Sequence, residues 1–265
     1  MKKGEETQTV GLLYICTGLY KVFWKDFYES YEKNFLPELE KHYIVFTDAD
    51  ELLYSDRDNV HIFYQKKLGW PYDTMMRFDI FEKQVDFLKK YDYLFFMNAN
   101  CICNKEVHAD EFLPTDRKLL VVRHPGFYNK GPFEFPYDRN KKSKAYIPKG
   151  EGKIYVCGGV NGGVAEDYLI LIKKLNRMVA SDLSNKVIPL WHDESIINKY
   201  VFKNPNEFEI KESDYCYPEG WNIPFEDKII VRDKSKWIDV EGVKGSNKRK
   251  SIIQFISSII SNARR

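Results

Sequence analysis

The sequence predicts an α/β protein in which a central sheet carries helices on its faces. Short apolar runs alternate along the chain with segments of helical periodicity, a pattern typical of this class. Of the 265 residues, 43% are hydrophobic and 15% are aromatic, so the chain can fill a sizeable core. No internal repeat or clear linker interrupts residues 10–241, and one large domain is predicted there.

Local patterning predicts each element in turn. Residues 10–17 form an apolar run before a glycine, which indicates the first strand. Aromatic side chains recur every four positions in residues 23–36, which indicates a helix with one buried face. The same patterns predict strands at 43–47, 61–64, 119–123 and 228–232, and helices at 76–90, 167–179 and 194–202. Residues 133–152 are rich in proline, glycine and charge and are predicted to be a surface loop or lid.

Residues 93–104 contain an aromatic, apolar run that stops abruptly at Asn98 and Asn100. This pattern indicates a buried strand that delivers two amides to the mouth of the sheet, where α/β proteins bind ligands. A strand ending in an asparagine-rich turn is the simpler alternative, because asparagine tolerates turn conformations. These twelve residues alone favour the turn.

Residues 155–163 contain four glycines: Gly158, Gly159, Gly162 and Gly163. Their spacing fits neither the dinucleotide fingerprint nor a phosphate-binding loop. Two interpretations remain, namely a ligand that approaches the backbone closely and a tight turn.

Three titratable groups, His192, Asp193 and Glu194, follow Trp191 at one predicted helix start. A metal site would need a second histidine at helical spacing, and a nucleophilic triad would need a nucleophile elbow. The sequence has neither beside this segment. Asp193 as the helix N-cap is the simpler alternative.

Composition excludes several classes of function. The net charge is +2, and the basic patches lie in the tail without interleaved aromatic residues, so no nucleic-acid partner is predicted. Five cysteines without CxxC spacing argue against a disulfide framework and a zinc site. The chain lacks an apolar signal segment and any run of about 20 apolar residues, which predicts a cytoplasmic protein.

The two ends of the chain differ from the domain. Residues 1–9 are polar and charged and are predicted to be disordered. Residues 242–265 hold six basic residues and no acidic ones, and in 248–265 the apolar residues fall on one side of a helical wheel. This tail predicts a helix lying on an anionic membrane, at the inner face of the cytoplasmic membrane. A helix docked on the domain itself or on a partner subunit is the alternative.

Five segments occur in order along the chain: NAN (98–100), HPGFYN (124–129), AYIPKGEG (145–152), GGVNGG (158–163) and WHDESIINKY (191–200). Together they resemble glycosyltransferase family 6, the family of the histo-blood-group A and B transferases and the α-1,3-galactosyltransferases. The resemblance covers about residues 10–232 and is to the bacterial form, without a membrane-anchoring stem. It implies a GT-A fold, with a mixed central sheet flanked by helices, as the catalytic domain. It also implies retaining transfer of galactose or N-acetylgalactosamine (GalNAc) from a UDP-sugar to a galactoside 3-hydroxyl.

The resemblance also implies roles for individual residues. Glu194 matches the essential carboxylate of the family, which can stabilise or attack an oxocarbenium-like sugar. The other matched positions are Ile15 and Tyr20 beside the uracil, Arg77 and Asp193 on the donor, and His124 and Trp191 on the acceptor.

Asn98 and Asn100 depart from the family pattern, since mammalian members carry an Asp-x-Asp motif there. Neutral amides are poor ligands for a hard divalent cation because they bring no charge. We therefore expect a metal-independent enzyme without a cofactor, in which fixed cations stabilise the leaving diphosphate. Lys234 is the first candidate for that role and Arg232 the second. A solvated surface charge is the alternative for both.

Cys157, Gly158 and Gly159 stand where family members line the pocket for the 2-substituent of the donor sugar. Two glycines leave room for an acetamido group, so the resemblance predicts UDP-GalNAc over UDP-Gal. The expected acceptor is a fucosylated galactose on lipopolysaccharide or a glycolipid. A catalytically inactive UDP-sugar or glycan binding module is the alternative, although such a module has no need of Glu194.

Overall fold

The computed structural model describes residues 8–244. Of residues 1–9, which are predicted to be disordered, residues 1–7 lie outside the described residues, as do residues 248–265 with their predicted membrane contact. Ordered elements extend slightly past both ends of the predicted domain, from Thr9 to a last helix at Val240–Lys244. Within residues 8–244, no helix combines the length and the apolar character that a membrane span requires.

Seven of the strands in the described range form one mixed central sheet. In chain order, all the strands of residues 8–244 are β1 (Thr9–Ile15), β2 (Glu40–Thr47), β3 (Val60–Tyr64), β4 (Tyr93–Met97), β5 (Cys101–Cys103), β6 (Leu119–Arg123), β7 (Val156–Val164), β8 (Phe208–Lys211), β9 (Tyr217–Pro218) and β10 (Ile229–Val231). The order is β3-β2-β1-β4-β7-β6-β8, and β7 runs antiparallel to both of its neighbours. A second, small sheet has the order β5-β10-β9. The predicted mixed sheet is confirmed. Strand β8 was not predicted, because this edge strand is short and half of its residues are polar, so its sequence shows no apolar pattern.

Helices pack on both faces of the sheet. They are α1 (Trp24–Asn34), α2 (Tyr72–Met75), α3 (Arg77–Glu82), α4 (Val85–Leu88), α5 (Ala109–Phe112), α6 (Ala165–Ser184), α7 (Asp193–Lys203) and α8 (Val240–Lys244). One core cluster contains the aromatic face of α1, and a second contains the apolar faces of α3, α6 and α7. The aromatic side chains predicted at four-residue spacing, Phe23, Phe27, Tyr31 and Phe35, are all fully buried. The arrangement is that of a GT-A-type glycosyltransferase fold.

The single helix predicted for residues 76–90 is wrong. The chain leaves helical geometry at Gln84 (φ −110°, ψ 18°), so α3 and α4 are separate. The apolar periodicity of residues 76–90 places Val85 on the buried face of a single helix, but Val85 is 39% exposed, whereas Leu88 and Tyr91 are buried. Tertiary packing of these last two side chains overrides the helical periodicity of the sequence.

The glycine-rich run is a strand, so its interpretation as a tight turn is wrong. It forms most of β7, which is buried in the middle of the sheet. A Cβ at Gly162 would lie 2.2 Å from the carbonyl oxygen of Leu94 on β4. Glycine is therefore required for this strand to approach its neighbour closely.

Residues 133–152 have no regular secondary structure, but they are not simply a surface loop. Phe135, Tyr137 and Ile147 are buried and pack with Tyr155 in a third cluster. This packed segment covers the side of the sheet near the start of β7.

Candidate active site

A cleft lies at the carboxyl ends of β1 and β4, where parallel strands of α/β sheets present ligand-binding residues. The space within it is about 860 Å³, part of which is open to solvent. Six residues predicted from the sequence line it together: Ile15, Tyr20, Arg77, Asn98, Asn100 and Lys234.

Asn98 and Asn100 lie in the turn that follows β4. The amide of Asn98 donates to the carbonyl of Gly159 at 2.8 Å. The side-chain amide of Asn100 donates to the carbonyl of Arg232 at 2.6 Å, and the Arg232 amide donates back to the Asn100 carbonyl at 3.0 Å. Both interpretations of this stretch therefore describe it in part, since a buried strand ends in an asparagine turn at the mouth of the sheet.

The residues of the cleft do not fit a divalent cation. Asn98 and Asn100 are neutral, and the Asn100 amide is already engaged as a donor. Among residues 8–244, no group of three or more histidine, cysteine, aspartate or glutamate side chains is arranged to hold a metal ion. Hard cations are normally held by several oxygen ligands that include carboxylates.

Glu194 lies in the first turn of α7, with both carboxylate oxygens fixed. The Tyr155 hydroxyl donates to Oε1 at 2.7 Å, and the Gly158 amide donates to Oε2 at 2.8 Å. Burial raises the pKa of Glu194, and these two hydrogen bonds and the charge of Arg77 oppose that rise. Two donors thus hold a buried carboxylate in one orientation, as a preorganised reacting group requires.

Replacing Tyr155 with phenylalanine removes one of these donors. We expect the pKa of Glu194 to rise further, because the lost hydrogen bond favours the ionised carboxylate. The acid limb of the kcat/KM profile should move to higher pH, and kcat/KM at neutral pH should fall about 10-fold. A pH profile of the variant tests this, and an acid limb at the wild-type position would contradict it.

Arg77 and Asp193 form a buried ion pair beside Glu194. The Arg77 guanidinium also lies 4.2 Å from the centre of the Phe96 ring. Burial raises the pKa of Asp193 to about 6, and the charge of Arg77 opposes this rise. The N-cap interpretation of Asp193 is wrong, because His192 occupies the cap position with a φ of 55° and Asp193 begins α7.

Gly158 and Gly159 bring the backbone of β7 against other site residues. A Cβ at Gly158 would lie 3.0 Å from the Cβ of Glu194 and 3.3 Å from Nη2 of Arg77. A Cβ at Gly159 would lie 2.6 Å from the side-chain nitrogen of Asn98. A larger residue at either position would therefore crowd side chains of the protein itself. Glycine is needed here for that reason, independently of any room it leaves for a donor sugar.

Cys157 does not line the cleft. Its side chain is buried in a core cluster that also contains Cys101 and Cys216. The alternation of side chains along β7 explains this placement, because neighbouring residues of a strand point to opposite faces. All five cysteines are buried and unpaired.

The two predicted cations differ in their surroundings. Lys234 lines the cleft, with Nζ 5.5 Å from the centre of the Tyr20 ring. Arg232 is only 7% exposed, forms an ion pair with Asp26 at 2.6 Å and stacks against Trp237. Arg232 is therefore neither a solvated surface charge nor a lining residue of the cleft, and it anchors the turn of Asn100 instead.

The predicted acceptor residues are His124, which reaches Glu194 through Tyr155, and Trp191, which lies three residues before Glu194 in the chain. The His124 ring packs edge-on against Tyr155, the residue that donates to Glu194. Burial lowers the pKa of His124 to about 4, so the ring is neutral at pH 7. Its Nδ1 accepts from the Gly126 amide at 3.0 Å, which leaves the ring proton on Nε2. Trp191 is 38% exposed and lies just before α7.

Several site residues were not predicted from the sequence. Lys67, Trp70, Asp73 and Thr74 come from the segment between β3 and α3 and line the cleft. This segment has no periodicity or motif that would have indicated it. Tyr155 was also missed as the partner of Glu194, although its position at the head of the glycine-rich run is a usable signal.

The sequence of the chain is similar to those of several known proteins. The family model described as Glycosyltransferase family 6 matches residues 3–236. The Escherichia coli protein named O-antigen biosynthesis glycosyltransferase WbnI is 37% identical over 227 residues, which cover 86% of this chain and 95% of that protein. The Rattus norvegicus protein named Histo-blood group ABO system transferase 1 is 36% identical over 39% of this chain and 30% of its own length. The Gallus gallus protein named Globoside alpha-1,3-N-acetylgalactosaminyltransferase 1 is 30% identical over 42% and 32%. The chain thus matches nearly all of the bacterial relative but about a third of the two vertebrate ones.

Proposed function

This chain belongs to glycosyltransferase family 6, and from that premise we propose that it is a retaining, metal-independent enzyme that moves GalNAc from UDP-GalNAc to the 3-hydroxyl of a β-galactoside. Family membership makes it a hexosyltransferase with a nucleotide-sugar donor and a glycan acceptor. The donor sugar, the acceptor, the stereochemistry and the independence of metal are the proposed parts.

The observation that carries the proposal is the fixed carboxylate of Glu194 beside the cleft. Sugar transfer passes through an oxocarbenium-like state with positive charge at the anomeric carbon. A buried carboxylate held by Tyr155 and Gly158 is suited to stabilise or attack that carbon from the ring face opposite the departing diphosphate. Burial strengthens this electrostatic effect, because water does not screen it.

The Arg77–Asp193 pair supports recognition of the donor sugar. Arg77 Nε and Asp193 Oδ1 are buried, and neither makes a hydrogen bond to the described residues. Buried polar atoms are normally satisfied, so these two have capacity for sugar hydroxyl or amide groups. The name of the Gallus gallus relative contains N-acetylgalactosaminyltransferase, which favours GalNAc as the sugar here.

The acceptor side is suited to a galactoside. The Nε2–H of His124 can donate to a hydroxyl, and the Trp191 indole can stack on the apolar face of galactose. O-antigen biosynthesis appears in the name of the Escherichia coli relative, so we propose a lipid-linked or lipopolysaccharide galactoside, fucosylated in its preferred form. Such an acceptor would also suit membrane contact by residues 248–265.

The first test is UDP release from UDP-GalNAc and, separately, UDP-Gal, with 2′-fucosyllactose as acceptor and excess EDTA. We expect turnover in EDTA and a preference for UDP-GalNAc, because the cleft does not fit a divalent cation. Reactions with added manganese and reactions without acceptor are the controls. Activity that appears only with manganese would contradict metal independence, and binding of UDP-GalNAc without release of UDP would indicate a binding module.

A further inference from the structure

The basic side chains in and beside the cleft differ in whether a carboxylate neutralises them. The two arginines described above are each paired with an aspartate. Lys67 and Lys234 both line the cleft, and neither forms an ion pair within the part of the chain that the structure describes. The lining of the cleft thus contains two uncompensated ammonium groups.

These two lysines reach the same turn from different segments of the chain. Lys67 lies in the segment after β3, and its Cδ is 3.2 Å from the position of a Cβ on Gly18. Lys234 lies after β10, and its Nζ is 5.5 Å from the ring centre of Tyr20. Gly18 and Tyr20 belong to one 3₁₀ turn after β1. Both ammonium groups therefore lie close to this turn at the mouth of the sheet, and Nζ of Lys67 is 3.9 Å from the Cβ position on Gly18.

Asp73 is the one residue with a carboxylate among the described residues that line the cleft, and it is not paired with an arginine. Its Oδ1 accepts the amide of Leu68 at 2.6 Å. This hydrogen bond ties the residue next to Lys67 to α2, so the path of the Lys67 segment is fixed before a ligand arrives. With Arg77 neutralised by its pairing with Asp193, Lys67, Lys234 and Asp73 still leave the lining a net charge of +1.

We infer that Lys67 is a second ammonium group that binds the diphosphate of the donor, beside Lys234, which the sequence already indicated for that role. This inference rests on the proposed function and adds Lys67 as a diphosphate-binding residue. When the bond from the anomeric carbon to oxygen breaks, its electron pair stays on the β-phosphate, whose negative charge grows. Ammonium groups already present at that oxygen stabilise the growing charge, and lysine acts as a point charge on phosphate.

The experiment is calorimetric titration of the full chain with UDP and with uridine, in excess EDTA. The test variant is Lys67→Met, and the matched control is Lys66→Met, an exposed neighbour outside the cleft lining. We expect Lys67→Met to raise the Kd for UDP about 10-fold, since it removes one charged contact. Uridine binding should not change, because uridine carries no phosphate. The control should bind both ligands as the wild type does.

An unchanged Kd for UDP in Lys67→Met would overturn the inference while leaving the proposed function intact. Equal losses of UDP and uridine binding would also overturn it, because they would indicate a structural role for Lys67. Failure of the wild type to bind UDP in EDTA would overturn both the inference and the proposed metal independence. Turnover provides a second readout, since kcat of Lys67→Met should fall together with its affinity for UDP.

Discussion

Replacing Glu194 with glutamine is expected to lower kcat by about 10³-fold or more, with little change in fold or in UDP affinity. Glutamine keeps the size of the side chain but removes the negative charge that would face the anomeric carbon. Loss of one preorganised charge contact in a buried site commonly costs about 10²–10³-fold, and a group that also attacks the carbon contributes more. Steady-state kinetics and calorimetric titration with UDP measure the two quantities separately.

The matched control for this variant is Glu166→Gln. Glu166 also lies in the first turn of a helix, α6, but it is exposed and is not among the residues that line the cleft. Its replacement should leave kcat within about twofold of the wild type, because surface changes away from a site are usually small. Near-wild-type kcat in Glu194→Gln would remove the basis of the proposed mechanism.

Replacing Arg77 with methionine is expected to destabilise the protein by about 3–5 kcal/mol at pH 7. The variant leaves Asp193 buried without its partner, and breaking a buried ion pair from one side has a cost of this size. Methionine fills much of the space and keeps a contact with Phe96. Urea unfolding followed by circular dichroism measures the loss, and transfer activity should fall with it because the donor contact is removed.

The pH dependence of this loss identifies its cause. The pKa of Asp193 is already raised in the folded chain, and removing Arg77 raises it further. Between its ordinary pKa and the raised one, the folded state binds more protons than the unfolded state, so stability falls as pH rises through that window. The loss of stability caused by Arg77→Met should therefore become smaller as the pH falls from 7 towards 4.

A second substitution provides the control for the unpaired charge. Arg77→Met combined with Asp193→Asn should recover part of the lost stability at pH 7, since no buried charge remains. A deficit that is the same at pH 4 and pH 7, and that the double variant does not reduce, would show that packing rather than charge explains the effect.

The sequence alone determined the class of fold and most of the elements. The aromatic spacing in residues 23–36 fixed both a helix and its buried face, since hydrophobic periodicity is local information. The helices predicted at residues 167–179 and 194–202 are confirmed in the same way. The mixed sheet was predicted from the family resemblance. Glu194 was predicted from sequence because its segment is distinctive, not because of its chemistry alone.

Only the tertiary structure decided which charged groups face the cleft. Arg232 and Lys234 are two residues apart and look alike in sequence, yet Arg232 is buried against Asp26, which is 206 residues away. Lys67 comes from a segment without any pattern and reaches the cleft because β3 ends near β1 and β2 in the sheet. The physical reason is that ion pairing and exposure depend on contacts between distant parts of the chain, whereas periodicity depends only on near neighbours.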